Sequence, residues 1–251
     1  MRRLLALIAL VAAFTVPAHA TATTPADVRV GAVYFPSVLD LNPVLNLPHI
    51  CSASVVHSSG HNLVAIAAHC VYGNGLGYQF VPGYDKGARP AGIWTVRAVY
   101  FDPAWKKGND PHHDIAFLRM APQTRNGHVV NIEDVTGAFT LGAAPTPGTD
   151  VTVTGYKLGT NDAPLVCQAP TTLTGVYPTV ACTGFRSGTS GGPWVDATNH
   201  LVGVIGGLNE GGCTPLINYT APFDASTSAL LIRAEAGGRG DSALPPLSDG
   251  C

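Results

Sequence analysis

The stretch Gly188-Thr189-Ser190-Gly191-Gly192-Pro193 sets one serine among glycines. A serine hydroxyl is a weak nucleophile alone. It needs a base to take its proton and aimed N–H donors to hold the negative charge that develops during attack. Flanking glycines let the backbone turn tightly and bring successive N–H groups to one point. Gly-Ser-Gly strings also occur as plain turns, so the loop gains meaning only from partners elsewhere. Ala67-Ala68-His69-Cys70 puts an imidazole at the end of an apolar run, and His113-Asp114-Ile115-Ala116-Phe117-Leu118 puts a carboxylate at the start of another. Asp110 competes with Asp114 for the role of acid. Asp114 is favoured because the apolar strand after it would bury it beside His69.

The serine loop fits two designs: the nucleophile elbow of α/β-hydrolases and the serine loop of chymotrypsin-like peptidases. Chain order separates them. The first needs serine, then an acid, then histidine, and the only histidine after Ser190 is His200, just before the β-prone run 201–206. The order here is His69, Asp114, Ser190, which is the chymotrypsin order. The three motifs together resemble the trypsin/chymotrypsin family, closest in flavour to its secreted bacterial members. Leu201-Val202-Gly203-Val204 resembles that family's strand after the serine loop, and the likeness runs from about Val30 to Ile232.

The resemblance implies two six-stranded antiparallel β-barrels with a C-terminal helix and a triad in the cleft between them. It assigns Ser190 as nucleophile, His69 as base and then acid, and Asp114 as the group that orients and stabilises the imidazolium. The backbone N–H groups of Gly188 and Ser190 would form the oxyanion hole. It implies protein or peptide substrates, no cofactor and a monomer. A non-catalytic homologue that binds partners, and an esterase, remain as rival readings.

Two positions depart from the family. An aspartate that pairs with a new amino terminus in trypsin-like enzymes is replaced by Thr189. The residue six before the serine, which in trypsin reads basic side chains, is Gly184. The family's cysteine four before the serine is Arg186. With Phe185 on one wall and Gly206 and Gly207 on another, the expected pocket prefers neutral, apolar or small side chains.

All six cysteines lie beyond the first apolar segment, as expected of disulfides in an exported chain. The resemblance implies Cys51–Cys70. Cys167 and Cys182 flank a turn-rich segment and are expected to staple a hairpin. Elimination then leaves Cys213 with Cys251, and a Cys182–Cys213 pair remains open. Among the nine histidines, no pair shows metal-ligand spacing. His112 and His113 are adjacent and, read as strand residues, point to opposite faces. No metal is expected.

Arg2 and Arg3, an uncharged apolar run over 4–16 and Ala18-His19-Ala20 form a secretory signal over 1–20. That run is shorter than the ~20 apolar residues that span a bilayer. Residues 21–29 read as a short leader or propeptide. Removing Arg2 and Arg3 makes the formal charge of −2 more negative still, and no basic run suggests nucleic acid. The mature protein is expected to be extracellular and free of the membrane.

Short β-prone runs broken by Gly, Pro and Asn fill the chain: 28–35, 52–57, 62–67, 93–101, 115–120, 151–156 and 201–206. Such runs without helical periodicity argue barrels or a sandwich. The first barrel is expected over 30–130 with His69 and Asp114, and the second, with Ser190, over 131–236. Within the second, a helix capped by Asp224 or Ser226 should bury Ala229, Leu230, Leu231, Ile232 and Ala236. Residues 237–251 are Gly/Pro/Ser-rich and read as a flexible tail, where Arg239-Gly240-Asp241 is a chance tripeptide.

Overall fold

Apolar runs in the first half pair until the sheet meets itself. In the computed structural model, β1 (Val30–Tyr34), β2 (Cys51–Val56), β3 (Leu63–Ile66), β4 (Gln79–Pro82), β5 (Trp94–Phe101) and β6 (Ala116–Met120) form a closed barrel in the order β1-β2-β3-β6-β5-β4. Closure removes the exposed edges that an open sheet presents. Residues 26–36, 42–246 and Cys251 are described, with the backbone of Ala18–His19. The rest of the expected leader over 1–20, and most of 21–29, lie outside the described residues.

All residues of β2 and β3 are buried, without polar alternation. Side chains alternate between the two faces of a strand, so both faces must be covered. Phe139, Tyr156, Leu201, Phe223 and Leu230 from the second half join the barrel's apolar cluster and supply part of that cover.

The second half is a seven-stranded sheet. Its strands are β7 (Thr140–Leu141), β8 (Asp150–Gly155), β9 (Leu165–Thr174), β10 (Tyr177–Val180), β11 (Pro193–Asp196), β12 (His200–Val204) and β13 (Asn218–Tyr219), in the order β7-β12-β11-β8-β9-β10-β13. β7 adds in parallel to β12, one strand beyond the expected six. Val153, Phe185, Trp194 and Ile205 help form a separate apolar cluster here. Disulfides join Cys51 to Cys70, Cys167 to Cys182 across the β9–β10 hairpin, and Cys213 to Cys251. The last two settle the pairing that the sequence left open.

The C-terminal helix, Ala225–Ala236, starts at Asp224, whose carboxylate accepts from the N–H of Ser226 and Thr227. Its buried face is Thr227, Leu230 and Ala234. The expected face holds at Leu230 and in part at Leu231, but Ala229, Ile232 and Ala236 are exposed, Ile232 to 66%. No helix among the described residues is long and apolar enough to cross a membrane.

Over 237–246 the chain is a strap rather than the loose tail expected over 237–251, of which 247–250 lie outside the described residues. Asp241 donates its N–H to the Val99 carbonyl at 2.8 Å, and Gly73 and Ala243 exchange N–H···O bonds at 2.9 and 3.0 Å. The Asp241 carboxylate accepts from the Phe101 N–H at 2.9 Å, Lys106 Nζ at 2.8 Å and the Arg233 guanidinium. The Arg239-Gly240-Asp241 tripeptide is therefore engaged through its aspartate, not presented.

Burial alone would raise the Asp241 pKa, but Arg233, Lys106 and the Phe101 N–H bring it down to about 2. A depressed folded pKa adds stability above the unfolded value of 3.8, and that stability is lost as pH falls through about 2. Asp241→Asn should lower the melting temperature at neutral pH by roughly 2–4 °C, the shift about 1 kcal/mol gives at this length. It should also flatten the stability curve between about pH 4 and pH 2. Identical acid limbs in parent and variant, read by thermal melts, contradict the clamp.

Candidate active site

Strand register brings His69 and Asp114 together. β3 and β6 are antiparallel with Ile66 opposite Ala116, so the chain leaving β3 and the chain entering β6 meet at one end of the barrel. After β3 a short 3-10 turn, Ala68–Cys70, carries His69, and the Cys51–Cys70 disulfide ties that turn to β2. Before β6 another 3-10 turn, Pro111–His113, delivers Asp114. Asp110 caps that turn through the His112 N–H at 3.0 Å and is only half-buried, whereas Asp114 is fully buried.

His69 Nδ1 lies 2.7 Å from Asp114 Oδ2, and the His69 backbone N–H donates to Asp114 Oδ1 at 3.0 Å. An ionised carboxylate only accepts, so Nδ1 carries the proton and Nε2 keeps a lone pair in the neutral ring. Burial disfavours the charged ring, but Asp114, with a smaller contribution from Glu210, outweighs it and raises the His69 pKa above 6.5.

The other Asp114 contact comes from the second half. The Gly207 N–H donates to Asp114 Oδ2 at 2.8 Å. A Cβ on Gly206 would stand 2.8 Å from the same oxygen. Gly206 and Gly207, expected in the substrate pocket, instead cradle the acid.

The serine loop turns at Gly188 and Gly191, with φ of +92° and +79°. A Cβ at Gly188 would lie 2.0 Å from the Leu158 nitrogen, and one at Gly191 2.2 Å from the Ser52 carbonyl oxygen. Of the consecutive N–H groups from 188 to 192, Thr189 donates to Arg186, Gly191 to Ile205 and Gly192 to Thr189. Those of Gly188 and Ser190 have no acceptor among the described residues. Their own peptide planes constrain the direction of both. In a trans peptide the C=O and N–H point opposite ways. The Ser187 carbonyl accepts from the Leu158 N–H at 2.6 Å and the Thr189 carbonyl from the Gly192 N–H at 2.9 Å, so the Gly188 and Ser190 N–H groups point away from those partners.

Ser190 lines a cavity of about 300 Å³ together with Phe185, Arg186, Ile205, Glu210 and the Cys213–Cys251 disulfide. Its hydroxyl has no hydrogen-bond partner among the described residues, His69 included. Phe185 lines the cavity, although it is only 1% exposed. Gly184 does not line it, and its N–H donates to the Pro215 carbonyl at 2.9 Å. Sequence reasoning missed Glu210 and the disulfide wall. An acid in the Gly-rich turn after β12 was the one signal for the former, and nothing local marks the latter.

The rival histidines have other partners. His57 and His61 pair with Glu133 and Asp134 at 2.5 and 2.6 Å on the surface. His112 and His113 are turn residues rather than strand residues, placed by Asp110 and Asp102 at 3.1 and 3.5 Å. Among the described residues no group of three or more His, Cys, Asp or Glu is arranged to hold a metal ion.

Comparison with solved structures gives the same fold. Protease Anisep from Arthrobacter nicotinovorans matches with a TM-score of 0.68 and 23% identity, over 86% of this chain and 99% of that one. The thermostable serine protease AL20 from an extremophilic microorganism gives 0.66 and 23%, over 84% and 99%. A mutant of human heparin binding protein gives 0.61 and 14%, over 88% and 97%, so the fold alone does not specify an activity. No curated protein matches the chain. The profile of the trypsin-like peptidase domain matches residues 51–204, more than half of the sequence. The chain belongs to the trypsin-like peptidase family.

Proposed function

We propose that the mature chain is a secreted serine endopeptidase acting through His69, Asp114 and Ser190. One set of contacts supports the reading: beside a buried His69–Asp114 pair, the loop of Ser190 packs on the chain that runs into His69, where a Cβ at Gly191 would lie only 3.1 Å from the Ala67 nitrogen, and it leaves the N–H groups of Gly188 and Ser190 without acceptors among the described residues. His69 Nε2 takes the proton as Ser190 Oγ attacks the scissile carbonyl. The two loop N–H groups hold the oxyanion, each worth ~3 kcal/mol in such sites. His69 then gives its proton to the leaving amine as the C–N bond breaks, which leaves an acyl-enzyme. Water, deprotonated by the same Nε2, attacks the ester and restores Ser190. The open Ser190 hydroxyl is compatible with this sequence, because catalytic hydrogen bonds often tighten only once substrate is bound.

The cavity beside Ser190 has Arg186 and Glu210 on its walls together with Phe185 and Ile205. Neither sign of charge dominates, which supports a preference for neutral side chains. The three disulfides suit an oxidising compartment outside the cell.

Digestion of a protein substrate by the purified mature chain, with and without a fluorophosphonate probe, tests the reading. Ser190→Ala should cut turnover by ~10⁴-fold or more. Hydrolysis by that variant at the parental rate rules out the assignment, and turnover of esters without amides points to an esterase. The base must be neutral to accept a proton, so its active fraction grows as pH rises through its folded pKa. The acid limb of kcat/KM should therefore have its midpoint above 6.5, the ordinary histidine value. A limb centred below that value, in a pH–rate profile, contradicts His69 as the base.

A further inference from the structure

We infer that Ser52 is a positioning residue: from the first barrel it clamps the serine loop so that the Gly188 and Ser190 N–H groups stay aimed at one point. This rests on the peptidase reading above. Ser52 follows Cys51 in β2 and is fully buried. Its backbone N–H donates to the Ser190 carbonyl at 2.8 Å. Its hydroxyl donates to the Gly188 carbonyl at 3.0 Å and accepts the Tyr156 N–H at 2.8 Å.

The orientation of that hydroxyl is not free. The Tyr156 N–H can only donate, so the Ser52 proton must go to the Gly188 carbonyl. The held carbonyls belong to the 188–189 and 190–191 peptides, and each of these joins, at the Cα of Gly188 or of Ser190, the peptide that carries an unspent N–H. A loop with glycine at 188, 191 and 192 has wide conformational freedom of its own. Ser52 removes that freedom from a different half of the molecule, and Tyr156 anchors the hydroxyl at the end of β8. Docking of the two halves and aim of the donors become one event.

Ser54 supplies an internal control. It lies two residues along the same strand and is fully buried, but its hydroxyl has no partner among the described residues. The experiment measures kcat and KM for a peptide amide on parent, Ser52→Ala, Ser52→Thr and Ser54→Ala. Each is normalised to sites titrated to completion with a fluorophosphonate, which removes misfolded protein from the reading. Affinity for a peptidyl boronate, whose adduct places an oxygen in the oxyanion position, is measured beside it.

Ser52→Ala should lose roughly 10- to 100-fold in kcat, as displacement of oxyanion donors predicts, with KM within about twofold. Boronate affinity should fall with kcat. Ser52→Thr keeps the hydroxyl and should return to within about threefold of the parent, and Ser54→Ala should match it. Equal kcat per site in Ser52→Ala and Ser54→Ala overturns the inference, as does a loss that falls on KM alone. A parent that hydrolyses no peptide overturns the peptidase reading and this inference with it. An active parent with an equally active Ser52→Ala overturns only the inference.

Discussion

A fully buried carboxylate is costly unless its oxygens are met by donors. Asp114 meets that condition with three: the His69 backbone N–H, the His69 ring and the Gly207 N–H. The first two lie within the first barrel and follow from the β3–β6 register. The third comes from the second half. Removing the second half would therefore strip a donor from a buried charge, so the acid favours the docked arrangement. The same carboxylate fixes the ring tautomer and raises the basicity of His69. Stability and chemistry draw on one contact set.

Traffic also runs the other way across the interface. Ser52 and β3 belong to the first barrel, yet they contact the loop that holds Ser190. Gly191 packs so tightly against Ser52, Ile66 and Ala67 that a Cβ there would meet the Ser52 carbonyl oxygen at 2.2 Å. Glycine at 191 and 206 is thus needed for close approach of the two halves, whereas 188 and 207 are crowded by Leu158 and by Thr220 and Ala221 of their own half. The Ser52 N–H on the Ser190 carbonyl and the Gly207 N–H on Asp114 both cross that boundary, and both bonds would be lost if the halves separated.

The motifs around His69, Asp114 and Ser190 were legible because each is local: an apolar run with a polar residue at its end, or a serine among glycines. Chain order then selected one fold from two. Features made by distant pairing were not legible. Thr140–Leu141 and Asn218–Tyr219 are two-residue strands that exist only because β12 and β10 accept them. The strap over 237–246 has the composition of a loose tail, and what fastens it is Asp241 meeting Lys106, 135 residues away. Gly206 and Gly207 read as an open pocket wall. Nothing in their neighbourhood shows that Asp114, 93 residues before Gly207, fills the space beside them. The helix misread at Ile232 came from treating an apolar run as one face, whereas only the 227, 230, 234 stripe points inward.

Thr189 shows how the serine loop is kept in shape without an added charge. It is 2% exposed and packs on Gly155, where a Cβ would come within 3.0 Å of it. Its hydroxyl and its N–H both donate to the Arg186 carbonyl, at 2.7 and 2.9 Å, and its own carbonyl accepts from Gly192. Each polar group of the residue is therefore met inside the loop. An aspartate here would place a charge in the same closed space and would require a cation to meet it. The conformation that frees the Gly188 and Ser190 N–H groups thus rests on neutral hydrogen bonds within the loop and on Ser52. In this chain its shape calls for no ion pair at 189.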